Sequence, residues 1–197
     1  MRRPKETRSE TGRELVDPAL IERCKQGDER AWAQLVEATH REVYTLCLRI
    51  LRDPSDAADA TQDAYVKAWR GLAGFRGDAM FTTWLYRIAS NAAISRHRSR
   101  SRRRSHETGA EDEMFDEVAA SAVVEDAATA RLDVADLEKA LARLPEHYRA
   151  AIVLRDVYGF SMAEVGAQLH ISETAAKVRV HRGRKKLKEM VYGTGEV

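Results

Sequence analysis

The residues best suited to chemistry in this sequence are cations set at helical spacing. From Ser172 to Val191 seven Lys or Arg stand against two Glu. On a helical wheel Ala176, Val180, Gly183, Leu187 and Val191 share one face, and Thr174, Lys177, Val178, His181, Arg182, Lys185 and Lys188 lie on or near the opposite one. An apolar back with a basic front suits a helix docked in a major groove, where Arg and Lys meet base edges and phosphates. A second concentration, Arg96, Arg98, Arg100, Arg102, Arg103 and Arg104, places six arginines in nine residues. Such a run is either a solvated helix end that complements the macrodipole or a phosphate contact. Six like charges repel unless something anionic lies beside them, which favours the phosphate. Catalysis is not expected: the six His are dispersed, and there is no G-x-x-x-x-G-K-[ST], no H-E-x-x-H and no Gly-rich nucleotide fingerprint. No cofactor is implied. Cys24 and Cys47 have no metal-ligand spacing around them, so they read as small core residues in a reducing cytoplasm.

The elements that must position these faces are helices. Gly 11 and Pro 4 in 197 residues are few for a β protein with its many turns, and 44% hydrophobic residues suffice for one ordinary domain or two small ones. The expected fold class is all-α. Lys plus Arg total 33 and Asp plus Glu 31, a net charge of +2, so the distribution of charge carries the information, not its sum. Asp17-Pro18 and Asp53-Pro54 each put a capping residue before a proline suited to a first turn, and Gly27-Asp28 can end one helix and cap the next. These signals predict helices near 18–26, 29–51, 54–72 and 79–100. In the last, Phe81, Trp84, Leu85, Ile88 and Ala92 make one buried stripe, with Trp84 at its border.

Residues 1–16 are polar, without apolar periodicity, and are expected to be a flexible tail. No apolar leader region and no run approaching 18 apolar residues occur, so neither secretion nor membrane insertion is expected. Residues 105–133 hold nine acidic residues opposed only by Arg131, and 105–131 is expected to be a flexible acidic linker. In the second block, Leu144-Pro145 starts a helix through about Val157 and Gly159 ends it. Ser161-Met162-Ala163-Glu164 has capping-box form. A short helix 161–169, a turn at His170-Ile171 and a longer helix capped by Ser172 make a helix-turn-helix. That motif alone also fits a stand-alone transcriptional regulator whose first domain dimerises or senses.

The segments DAADATQDAYVKAW and GFRGDAMFTTWLYRIASNAAISRHRSRSRRR resemble regions 2.2 to 2.4 of extracytoplasmic-function sigma factors of bacterial RNA polymerase, and LEKALARLPEHYRAAIVLRDVYGFSMAEVGAQLHISETAAKVRVHRGRKKL resembles their region 4. The resemblance covers about 19–104 and 132–190, in order. It implies a region 2 bundle at 17–104, a region 4 domain at 132–191 and a short tail at 192–197. It further implies recognition of −35 and −10 promoter elements as double- and single-stranded DNA, melting of the latter, core RNA polymerase as partner and an anti-sigma factor as inhibitor. Asp59, Gln62, Asp63, Val66 and Trp69 match the polymerase-binding positions, where carboxylates and an amide beside an apolar ridge suit a partner helix offering arginines; by periodicity alone they are also the outer face of an ordinary amphipathic helix. Phe75, Arg76, Asp78 and Asn91 match the pocket for a flipped base, with Trp84, Tyr86 and Arg87 as neighbours and Arg98 beyond. Ser95 replaces an acidic residue that many members carry four positions after the asparagine. Ser172, Thr174, Lys177, Val178, His181, Arg182 and Lys185 match the −35 reading surface, whereas Arg179 lies nearer the buried side.

Overall fold

The computed structural model describes residues 16–108 and 134–192, and its regular structure is helical throughout those residues. Four helices come first: α1 (Pro18–Lys25), α2 (Glu29–Leu51), α3 (Pro54–Gly71) and, after a 3-10 turn at Leu72–Gly74, α4 (Phe81–Thr108). Their starts follow the capping logic of the sequence. The Asp17 carboxylate accepts from Ala19 N, Asp28 from the Arg30 and Ala31 amides, and Asp53 from Asp56 N, each satisfying donors that the first turn leaves open.

Helices α2, α3 and α4 pack as a bundle with α1 against one side. The inner face of α3 is Ala57, Ala60, Ala64 and Ala68, all fully buried, so its backbone lies close to its neighbours. Leu35, Val43, Leu46 and Ile50 from α2 meet Phe81, Leu85, Ala89 and Ala93 from α4 in the centre. Cys24 and Cys47 are buried there as free thiols, and burial pushes the Cys47 thiol up to about 11. The one long polar side chain of α3 turned inward, Tyr65, donates its hydroxyl to Thr39 at 2.8 Å, and Thr39 passes its own proton to the Leu35 carbonyl.

Two boundaries differ from the expected ones. Val16, expected in the tail, is buried in the bundle, and the rest of the expected tail, 1–15, lies outside the described residues. Helix α4 runs to Thr108, so residues 105–108 continue the helix instead of opening the linker. Before that end, Arg96 pairs with Asp56 and Asp59, and Arg100 with Asp53 and Asp56. Carboxylates at the start of α3 thus give anionic neighbours to two of the six arginines in the run. The expected linker from 109 onward lies outside the described residues, as does the tail from 193.

A second cluster is built from α5 (Val134–Arg143), α6 (Glu146–Ile152), a π turn (Val153–Val157), α7 (Met162–Leu169) and α8 (Glu173–Tyr192). The single helix expected from Pro145 to about Val157 is thus an α segment that widens into a π turn before Gly159, whose φ of +73° ends it. Both bonds of the Ser161–Glu164 capping box are made. His170 takes the left-handed conformation, and Ile171 N bonds the Gly166 carbonyl at 2.9 Å, which closes α7 and turns the chain into α8. Ser172 Oγ then accepts from Ala175 N at 3.1 Å.

The two clusters touch. Arg149 of α6 is buried and donates to the Ile50 carbonyl at the end of α2, 3.0 Å away, as well as to Leu144 O. Desolvation lowers its pKa to about 10. Arg49 pairs with Glu138, and Tyr158 Oη donates to the Glu42 carbonyl.

Candidate nucleic-acid interface

Three surfaces carry the residues singled out by sequence. The first is a cavity of about 190 Å³ at the start of α4, lined by Gly74, Phe75, Arg76, Gly77, Asp78, Ala79, Trp84 and Arg87. The backbone reaches it through the 3-10 turn and a loop in which Gly77 has φ +79°, a conformation that L side chains rarely adopt. Phe75, Phe81 and Trp84 form one aromatic cluster with centroids 5.2 to 5.6 Å apart. Phe81 is buried, while Phe75 and Trp84 are half-buried and line the cavity. Aromatic walls with a guanidinium and a carboxylate at the rim can stack a flat heteroaromatic ring and hydrogen-bond its edge. Asn91 stands exposed one turn beyond Arg87 on α4, outside the cavity lining.

Lys25 escaped the sequence reading. Its ammonium lies 5.6 Å from the Phe75 ring centroid, a cation over the same aromatic wall. No local pattern marks it, because the contact exists only once α1 packs against the 3-10 turn.

The second surface is α8. Ala176, Val180 and Gly183 are buried and Leu187 and Val191 half-buried, while Thr174, Lys177, His181, Lys185 and Lys188 are exposed and Val178 and Arg182 partly so. Ser172 and the capped first turn present the same front. Lys177 pairs with Glu173 one turn back. The helix sits tightly on its support: a β-carbon on Gly166 would come within 2.9 Å of the Ile171 carbonyl oxygen. Burial lowers the pKa of Arg179, which is half-buried as its wheel position implies.

The third surface is the outer face of α3. Gln62 and Asp63 are exposed, and Val66 and Trp69 are among the most exposed large apolar side chains described. Trp69 meets Trp32 edge-on at 5.0 Å, which fixes the ridge. Asp59 is half-buried and held by Arg96, so it faces the arginines of its own chain.

Residues 35–103 match the family model "Sigma-70 region 2" and residues 135–187 the model "Sigma-70, region 4". The ECF RNA polymerase sigma factor SigW of Bacillus subtilis is 31% identical over 183 residues, spanning 90% of this chain and 98% of the relative. The ECF RNA polymerase sigma-E factor of Escherichia coli is 34% identical over 185 residues, spanning 90% and 95%. The chain belongs to the ECF sigma factor family. Among solved structures, the sigma factor RpoE in complex with the anti-sigma factor NepR from Bartonella quintana is similar with TM-score 0.57 and 26% identity, over 81% of this chain and 96% of that one. CnrH in complex with the cytosolic domain of CnrY is similar with TM-score 0.55 and 25% identity, over 90% and 97%. In this ECF sigma factor the α1–α4 bundle corresponds to region 2 and the α5–α8 cluster to region 4. No helix among the described residues is long and apolar enough to cross a membrane, and none of their His, Cys, Asp and Glu groups could hold a metal ion.

Proposed function

We propose that this ECF sigma factor directs core RNA polymerase to promoters by reading two DNA elements with two separate surfaces, and that it has no active site of its own. In this reading the basic front of α8 enters the major groove of the −35 element. The Phe75, Arg76, Asp78, Trp84 and Arg87 cavity, with Tyr86, Asn91 and Arg98 along α4, takes a base unstacked from the −10 element. The outer face of α3 docks on polymerase through Gln62, Asp63, Val66 and Trp69, with Asp59 behind them. Residues 17–104 and 132–191 are the working units, and the acidic segment between them spans the two DNA elements. An anti-sigma factor is the expected inhibitor, in keeping with the complexes in which the similar structures were solved. The setting is the cytoplasm.

The observation that carries this reading is the convergence of the Phe75 and Trp84 rings and two arginines, Arg76 and Arg87, on one cavity of base size. Melting a duplex requires that unstacking be offset, and such a cavity offsets it by restacking the base on protein. The test is transcription by core polymerase reconstituted with the chain. Asn91→Ala and Phe75→Ala should slow initiation on a duplex promoter, and a template carrying a mismatched −10 bubble should recover much of the loss. Tight promoter binding without polymerase, and no transcription with it, would instead favour a stand-alone regulator.

A further inference from the structure

The two helical units meet in more than one place. Where α4 meets α7, buried Ser90 donates to Gln168 Oε1 at 2.9 Å. Where α2 faces α5 and α6, a cavity of about 320 Å³ remains between them. Its apolar wall is aliphatic, made by Leu48, Leu141 and Ala142, and its charged groups are Arg49, Arg52, Arg149 and Glu138. Thr45 completes the lining, with its hydroxyl already donated to the Arg41 carbonyl at 2.7 Å.

The charges do not balance. Glu138 is committed to Arg49, which leaves two guanidinium groups without a carboxylate on the lining. Arg149 is 5% exposed and gives its two Nη groups to the Leu144 and Ile50 carbonyls, while its Nε is buried without a hydrogen-bond partner. Neutral acceptors satisfy its geometry but leave its charge unmatched, and a buried charge without a counter-ion is costly. Arg52 stands at the end of α2 with φ +59°, in a left-handed position that helix ends usually give to Gly or Asn. It is exposed and has no ion-pair partner among the described residues.

We propose that this cavity binds one small amphipathic anion, a carboxylate on an aliphatic chain, with the head on Arg52 and Arg49 and the tail along Leu48, Leu141 and Ala142. A carboxylate matches the planar fork of arginine. No aromatic ring stands on the lining, so a flat base would find nothing to stack on. A bare inorganic ion would leave the aliphatic wall wet. The volume falls at the lower end of small-molecule sites, about 300–1,000 Å³. None of the lining residues is assigned above to DNA or polymerase, so the site stands apart from the sigma-factor reading.

The experiment uses the full chain, with octanoate as the probe. Calorimetric titration should show one saturable site that takes octanoate about tenfold more tightly than octanol, which has the tail without the charge, or acetate, which has the charge without the tail. Methyl resonances of Leu48 and Leu141 should shift on binding, and those of Val66 on the outer face of α3 should not. Arg52→Ala should weaken octanoate about tenfold with the helical signal unchanged, since Arg52 is exposed, and Arg52→Lys should retain part of the affinity. Ala142→Phe fills the cavity and should abolish binding; if that variant does not fold, the two Arg52 variants decide. Holoenzyme transcription without octanoate should be equal for wild type and Arg52→Ala. Equal affinity for octanol would reduce the site to an apolar void, and equal affinity for acetate to an adventitious ion only. Absence of saturable octanoate binding, or unchanged affinity in Arg52→Ala, would remove the site while leaving promoter-dependent transcription, and with it the sigma-factor reading, untouched.

Discussion

Arg182 and Lys185 sit on the same front of α8 and are assigned different work. Arg182 is partly buried, so its fork is steadied for a two-pronged contact to guanine, whereas Lys185 is exposed and a turn nearer the helix end. Arg182→Ala should cost about 1–3 kcal/mol on a cognate −35 sequence and much less on a sequence changed at the contacted pair. Lys185→Ala should weaken both alike and reduce the salt slope by about one. Holoenzyme binding to both sequences across a salt series separates the two outcomes, and matched losses would mean that the assignment is reversed. At this scale the sequence was legible where side chains follow helical periodicity, as in Val180 inward and His181 outward. It was not legible where a partner arrives from elsewhere in the chain. Lys25 over Phe75, Asp59 under Arg96 and Glu164 against Arg87 are separated by 50, 37 and 77 positions respectively, and nothing in a local window announces them.

Among the elements, the helix-turn-helix follows its sequence signals closely because each is a short-range hydrogen bond. Ser161→Ala removes the acceptor of Glu164 N and should destabilise region 4 by about 1 kcal/mol. Gly166→Ala should cost more, about 2 kcal/mol, even though alanine favours helices, since the new carbon meets a backbone oxygen that cannot yield. Thermal melts of the two variants rank them, and a milder Gly166 change would show that the turn can relax. On α3 the outer face should tolerate substitution: Gln62→Ala and Asp63→Lys should weaken binding to core polymerase with the helical signal unchanged. A titration with unaltered affinity removes that face from the interface. Helix α4 was harder to read. Its arginine run points to phosphate by charge alone, while the ion pairs of Arg96 and Arg100 with the acidic start of α3 join residues distant in sequence.

For the whole molecule, the composition and capping signals indicate two helical units but are silent on their packing, which depends on a few long side chains. Buried Arg149, bonded to Ile50 O across the junction, and Tyr158 on Tyr86 accompany an apolar core that runs from the first unit into the second, beside a smaller cluster of Leu141, Leu144 and Ile152. Differential scanning calorimetry of wild type should therefore show a single transition, and Gln168→Arg should split it into two; two transitions in wild type would mean that the junction contributes little to cooperativity. The bundle's burial of both cysteines has a further consequence of a different kind. With Cys24 and Cys47 sealed in the core and Cys47 held as the neutral thiol, the folded chain offers oxidants no accessible thiolate. Thiol–disulfide exchange then cannot reach it directly, and a message written in that chemistry must be read by another molecule and delivered as a change in what that molecule holds.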